Sequence, residues 1–323
     1  MIRLENLTKV YSDGTTAVDG VSLEVPEGET ATLVGPSGCG KTTTMTMVNR
    51  LTEITEGDIY VDDTSVMEYD PIELRRTIGY VIQEIGLFNH MTVGENISIV
   101  PNLLDWDDDR INDRVGELLD MIRLPQDIQE NYPGELSGGQ RQRVGVARAL
   151  ASEPDIMLMD EPFGALDPVT REELQDEFLD IQQGLDVTIM FVTHDIDEAL
   201  KMGDRVAVLN KGYLVQYDRP ADLLAEPKNE FVSNFIGQDR LLKQLQTMSV
   251  RDVVTESAGE WDGDGPTLHP SDTLRFAIQQ LLRTDGAVAV VDEGEQKGEI
   301  TEDAVREAIN VPPGDALRQE QAQ

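Results

Sequence analysis

Short apolar runs punctuate the chain at Thr30 to Val34, between Asp155 and Asp160, and at Thr188 to Val192. Each is too short for a helix and reads as a strand buried on both faces. Residues Lys41 to Leu51 alternate Thr and Met without Gly or Pro and predict a helix directly after the first run. Residues 1–30 alternate short β-type stretches with turns at Ser12-Asp13-Gly14 and Glu27-Gly28, which predicts an antiparallel sheet. From Gly94 to Ala151 the pattern is mostly helical, and residues 155–215 return to strand–helix alternation.

The character changes beyond Leu245. Met248 to Val254 leads to a loop, Glu256 to Pro266, rich in Gly, Asp and Glu. Ser271-Asp-Thr273 then reads as a helix start for the amphipathic stretch Leu274 to Thr284. Val288 to Val291, a turn, Gly298 to Thr301 and a helix over Glu302 to Ile309 complete a small α/β pattern. The expected organisation is a large α/β domain at residues 1–236, a linker at 237–246, a small domain at 247–311 and a disordered polar tail at 312–323.

The strand at Thr30 to Val34 runs into Gly35-Pro36-Ser37-Gly38-Cys39-Gly40-Lys41-Thr42, followed by Thr43. This is G-x-x-x-x-G-K-[ST]. Backbone N–H groups can wrap a phosphate only where no Cβ blocks the approach. Lys41 reaches the β- and γ-phosphates, the Thr42 hydroxyl ligates Mg²⁺, and the helix N-terminus adds its dipole. Strand, loop, helix is the order this chemistry requires. Cys39 is the sole cysteine and reads as a small side chain tolerated in the loop.

Asp155-Ile-Met-Leu-Met-Asp160-Glu161 reads as a buried strand delivering two carboxylates to the C-terminal edge of a sheet, where ligands bind in open α/β folds. Downstream of a phosphate loop, Asp160 is expected to hold Mg²⁺ through a water and Glu161 to polarise the attacking water. Leu136-Ser137-Gly138-Gly139-Gln140 precedes the helical stretch Val144 to Ala151 and forms a second anion-binding helix end. Two such sites in one chain leave two arrangements open. The fold brings them together around one nucleotide, or two chains sandwich it, each lending its second site to the other's first.

Together these segments resemble the ATP-binding subunit of ATP-binding-cassette (ABC) transporters over roughly residues 1–235. The resemblance implies a P-loop NTPase fold of ABC type, a mixed sheet with an antiparallel β subdomain and a helical arm. It implies an ATPase that binds ATP and Mg²⁺ and works as a homodimer. It places Tyr11 against adenine, Gln83 as sensor of Mg²⁺ and the attacking water, Asp167 in a loop (Gly164 to Asp167) that crosses the dimer interface, and His194 as a switch histidine at the γ-phosphate. Catalysis would fall to Glu161, His194 and Gln83, and metal binding to Thr42, Gln83 and Asp160. His90 and His269 match nothing and read as structural or exposed.

Ile78 to Val93 and Phe231 to Leu242 are similar to the ATPases of quaternary-amine importers for glycine betaine, choline, carnitine or proline. By this resemblance, Ile85, Leu87 and Phe88 form a surface that docks a membrane subunit; otherwise they are core. Importers of a sugar, a metal or methionine, and ABC ATPases without a transport role, are the alternatives. The pattern after residue 247 resembles a single or truncated cystathionine-β-synthase-type (CBS) motif. Its acid, Asp303, stands two residues after Thr301 rather than three, which argues against nucleotide binding there. A packing or dimerisation role is the alternative.

Composition narrows the setting. Nothing like the roughly 18 consecutive apolar residues of a membrane span is present. Met1-Ile-Arg-Leu-Glu-Asn carries no signal-peptide pattern, and a single cysteine fits a reducing compartment. The expected place is peripheral, at the cytoplasmic face of the membrane, with separate integral-membrane permease subunits and an extracellular solute-binding protein. The net charge of −36 is spread along the chain, and only seven of the 26 basic residues are lysine. No basic stripe suits nucleic acid. Such an acidic, lysine-poor chain fits a cytosol of molar salt, because salt screens the self-repulsion that would loosen it in dilute buffer. The melting temperature is therefore expected to rise when molar KCl replaces dilute buffer; equal melting in both rejects a halophilic origin.

Overall fold

Apolar runs without alternation belong inside parallel sheets, and the computed structural model places them there. It describes residues 1–83, 86–237, 239–255, 265–284, 286–292 and 294–309. Ile85, most of the loop expected between Glu256 and Pro266, and the tail at 312–323 lie outside the described residues. The chain divides into two units, Met1–Asp218 and Arg219–Gln323.

In the first unit, β1 (Ile2–Val10), β2 (Thr16–Val25), β3 (Thr30–Val34), α1 (Lys41–Val48), β4 (Glu56–Val61), β5 (Thr64–Ser65), α2 (Pro71–Thr77) and β6 (Ile78–Val81) come first. The helical arm follows as α3 (Val93–Leu103), α4 (Asp108–Met121) and α5 (Gly138–Leu150). Then come β7 (Ile156–Asp160), α6 (Pro168–Gln183), β8 (Thr188–Val192), α7 (Ile196–Met202), β9 (Arg205–Asn210) and β10 (Tyr213–Asp218). One sheet runs β2-β1-β4-β5 and is antiparallel, as residues 1–30 predicted. The other runs β10-β9-β3-β8-β7-β6 and is parallel except for the edge strand β10. The two meet where Asp19 N donates to Gly212 O at 2.9 Å and Tyr217 Oη donates to Glu24 O at 2.7 Å.

Every residue of β3, β7 and β8 is buried. Side chains alternate across a strand, so each run feeds two cores. Met157, Met159, Ile189 and Phe191 enter the core shared with the helical arm. Ile156, Leu158, Met190 and Val192 enter the core shared with the antiparallel sheet. Phe163 anchors the first core, with ring centroids 6.3 Å from Phe178 and 6.1 Å from Phe191.

Helix α1 stops at Val48, short of the expected Leu51. Arg50 turns left-handed at φ 53°, and Leu51 N and Thr52 N both close back on Thr46 O at 3.0 Å. That bonding pattern ends a helix without a glycine.

The second unit contains α8 (Pro220–Ala225), α9 (Glu230–Ile236), α10 (Arg240–Thr247), β11 (Thr267–Leu268), α11 (Leu274–Leu281), β12 (Val288–Asp292), β13 (Glu295–Ile300) and α12 (Glu302–Ala308). Its sheet runs β11-β12-β13, the first pair parallel and the second antiparallel. Leu268, Leu274, Val288, Val290, Ile300 and Val305 pack between sheet and helices. The span expected as a linker is largely α10. It is helical because one side is buried: Lys243, Gln244 and Leu245 point inward, and Lys243 Nζ donates to the terminal carbonyl of α9 at Ile236 O, 2.7 Å away.

Phe191 is fully buried at the junction of sheet and arm. Phe191→Ala is expected to cost about 3–5 kcal/mol, read as a fall in the urea midpoint of the first unit's transition.

Candidate nucleotide site

The site begins where β3 ends. Gly35 has φ 153°, and a Cβ there would lie 2.2 Å from Leu209 O; at Gly40 (φ 104°) it would lie 2.3 Å from Ala17 O. Both contacts are with backbone, which cannot swing aside, so the loop closes only with glycine. Lys41 is buried, and its Nζ donates to Gly35 O at 2.8 Å and Pro36 O at 3.3 Å. The loop's own carbonyls thus hold a positive charge in the curl of the chain. Pro36, Ser37 and Gly38 complete the curl, with Gly38 at φ 75°. Cys39 is buried, and burial pushes its thiol above the ordinary value while the Lys41 charge opposes. A thiol held protonated is a packing group, as the sequence suggested.

Asp160 closes β7 beside the loop, and Thr42 Oγ1 donates to its Oδ1 at 3.0 Å. Burial is the main reason its carboxyl lies above the ordinary value; the Thr42 hydrogen bond opposes, Glu161 adds to the rise and Lys41 opposes. On the next strand Tyr80 is pushed up to about 12, by burial first and then by the Asp160 charge. Glu161 sits in a left-handed turn at φ 44°, its N–H fixed to Val192 O at 2.9 Å. This turn aims its carboxylate across the strand ends. His194 Nδ1 lies 3.0 Å from Glu161 Oε2, and Gln83 Nε2 donates to the same oxygen at 3.5 Å.

Lys41, Thr42, Asp160, Glu161, His194 and Gln83 therefore come together from the C-terminal ends of β3, β7, β8 and β6. Tyr11 stands at the rim, 43% exposed, with its hydroxyl 3.4 Å from Thr43 Oγ1. Lys9 Nζ lies 5.2 Å from its ring centroid, a cation–π contact that sequence reading missed. Lys9 lies in β1 and Tyr11 directly follows its last residue, and this spacing of two was the available signal.

Ser137, Gly138, Gly139 and Gln140 are placed differently. Ser137 caps α5 by accepting from Gln140 N at 3.2 Å, while Gln140 Oε1 accepts from Ser137 N at 2.9 Å. This capping box satisfies two helix-end donors at once. A Cβ on Gly139 would lie 3.3 Å from Thr170 Cγ2, so the segment faces the start of α6. Asp167 caps that helix through Thr170 N at 3.2 Å, and hydrogen bonds to Thr170 hold its carboxyl below the ordinary value. Among the described residues, no hydrogen bond joins Ser137–Gln140 to the phosphate loop.

A parallel sheet whose strand ends gather a phosphate loop, an acid pair and a histidine makes this a P-loop nucleoside triphosphatase. The ABC transporter family matches residues 18–164. The glycine betaine/carnitine/choline transport ATP-binding protein OpuCA of Bacillus subtilis (strain 168) is 46% identical over 329 residues, 98% of this chain and 87% of that protein. The osmoprotectant import ATP-binding protein OsmV of Salmonella typhimurium is 48% identical over 320 residues, covering 96% and 82%. The ATP-binding cassette MJ0796, solved as a dimer in a post-hydrolysis state bound to ADP and Pi, matches at TM-score 0.61 and 35% identity over 68% of this chain and 99% of its own. The chain belongs to the ABC transporter ATP-binding family, and it is an ATPase. Among the described residues no helix is long and apolar enough to cross a membrane.

The raised Asp160 carboxyl makes a prediction with a definite sign. In the folded chain it holds its proton more tightly than in the unfolded chain, so stability is lost as pH rises from the unfolded value through the folded one. At neutral pH the whole penalty is present. Asp160→Asn is expected to raise the neutral-pH melting temperature of protein purified without nucleotide. The gain should shrink as pH falls into the carboxylate range, and calorimetry across pH checks it.

Proposed function

We propose that two copies of this chain close head to tail around two ATP molecules and drive an importer of quaternary-amine solutes. The observation that carries the dimer is the separation just described. The hydrolytic residues share one strand edge, while the capped Ser137–Gln140 helix end faces α6 instead. Each pocket then takes Lys41, Thr42, Asp160, Glu161 and His194 from one copy and Ser137 and Gly139 from the other. The dimeric MJ0796 cassette supports this reading. The names of OpuCA and OsmV support glycine betaine and related osmoprotectants as cargo, delivered through permease subunits and a solute-binding protein.

The residues have distinct tasks. Lys41 and the backbone N–H groups between Gly35 and Thr43, other than at Pro36, bind the phosphates, Gly138 and Gln140 shape the second wall, and Tyr11 offers its ring to the base. Thr42 and Asp160 present two hard oxygens 3.0 Å apart, a donor set that fits Mg²⁺, with Gln83 as a third. Bound Mg²⁺ would neutralise charge on the β- and γ-phosphate oxygens. Glu161 Oε2 takes the proton from the attacking water, and His194 and Gln83 hold that carboxylate in line. Asp167 fixes the loop that crosses to the other copy.

The loop after Gln83 is the proposed docking surface for the membrane subunit. Phe88 is 47% exposed on it. Buried Asn96 sets its shape: Oδ1 accepts from Phe88 N at 2.8 Å, and Nδ2 donates to Phe88 O, Met91 O and Thr92 O. The second unit is proposed as a single CBS-like module, supported by its β-α-β-β-α order. Its helices and sheet enclose a core of their own, which suits a packing role.

Glu161→Gln is expected to bind ATP and form a dimer by light scattering, with hydrolysis reduced about 10²- to 10⁴-fold. Cells relying on that variant should lose uptake of labelled glycine betaine. Wild-type hydrolysis in the variant removes Glu161 from its role. Hydrolysis lost with betaine uptake intact removes the cargo assignment.

A further inference from the structure

Behind the hydrolytic cluster lies a buried polar assembly to which nothing above gives a task. Glu198, in the first turn of α7, is 6% exposed, and so is Gln175 on α6. Gln175 Nε2 donates to Glu198 Oε1 at 2.8 Å in a fully buried bond. Thr193, itself buried, lies beside the same carboxylate and helps to hold its charge. The Thr193 hydroxyl accepts from Asp195 N at 3.0 Å. That leaves its own proton to point toward Glu198. Asp195 Oδ1 in turn caps α7 through Asp197 N and Glu198 N, and Oδ2 lies 3.9 Å from Arg171 Nη1 on α6. Arg171 Nη2 donates to Leu166 O at 3.1 Å, in the loop that ends at Asp167.

His194 therefore sits between Thr193, beside the Glu198–Gln175 pair, and Asp195, which faces Arg171 of α6. An apolar residue at position 198 would fill the same space without the cost of a buried acid. Burial pushes the Glu198 carboxyl up and Asp195 adds to it, while Thr193, Gln175 and Arg171 oppose. What the carboxylate gains is a buried hydrogen bond from α6.

We propose that Glu198 and Gln175 are positioning residues for the switch histidine. They bind the His194 backbone to α6, so that displacement of the Leu166–Asp167 loop and placement of His194 on Glu161 change together. The inference rests on the proposed role of His194 in hydrolysis.

The full-length chain tests it. Gln175→Met removes the donor and keeps the volume; Glu198→Gln disturbs the same bond from the other side. Each is expected to lower kcat by about tenfold or more with KM for ATP unchanged. The chain has three histidines, so the His194 ring signal can be assigned by NMR. In both variants it should move toward its position in Glu161→Gln, where the His194 partner is altered directly. Wild-type kcat and an unmoved ring signal in Gln175→Met, with only a lower melting temperature, overturn the inference. A fall in kcat without movement of the ring signal overturns it too. Should His194→Ala hydrolyse ATP at the wild-type rate, the role of His194 itself fails, and that outcome is distinct from the other two.

Discussion

Four neighbouring strands run parallel and end on one edge, and the chemistry of the chain depends on that coincidence. β3, β8, β7 and β6 stand side by side, so the residues that follow each strand emerge at one level. The phosphate loop, His194, the Asp160–Glu161 pair and Gln83 come from segments far apart in sequence. A parallel sheet brings them together without any long side chain having to reach. The same edge gathers the free strand-end amides and a helix N-terminus, so it favours an anion before any side chain contributes.

Holding charged groups at that edge has a cost that surrounds the site. The Lys41 ammonium is buried and accepts neutralisation from backbone carbonyl dipoles. Asp160 is buried beside it with its pKa raised, and Glu161 adopts a left-handed conformation that a non-glycine residue rarely takes. These are local departures from the cheapest structure, supported by two dense cores on either side of the sheet. The strands β7 and β8 serve both cores because alternate residues face opposite ways. A polar substitution anywhere along them would reach one core or the other.

The Ser137–Gln140 segment shows how one set of atoms meets two demands. Its serine and glutamine cap a helix within their own chain, and its glycines bring that helix end against the start of α6. The helix N-terminus lies against Leu166 and Thr170 and, among the described residues, makes no hydrogen bond to its own chain's phosphate loop. Asp167 repeats the theme, as a helix cap in a loop proposed to cross to the second copy. In both places local folding chemistry shapes a surface that is proposed to meet the second copy.

Much of this was legible in the linear chain. Gly35 to Thr42 needs strand, loop and helix in fixed order, so spacing alone specifies its chemistry. The buried strands declared themselves as short apolar runs, and residues 274–309 announced their β and α segments in order, while the two-residue strand β11 went unread. Other features were not legible, because they depend on which strands become neighbours. The bonds from Thr42 to Asp160 and from His194 to Glu161 exist only once β3, β7 and β8 pair. The contact of Gln175 with Glu198 requires α6 to lie against the first turn of α7. The helix at Arg240–Thr247 was hidden behind a stretch expected as linker, because its inward side includes a lysine and a glutamine whose burial only packing reveals. Sequence by itself determined the residues that can grip a phosphate, since that depends on local backbone freedom and side-chain type. Tertiary structure decided which distant groups share a proton or a hydrogen bond, because those interactions act over about 3 Å and nothing in the linear order sets such a distance.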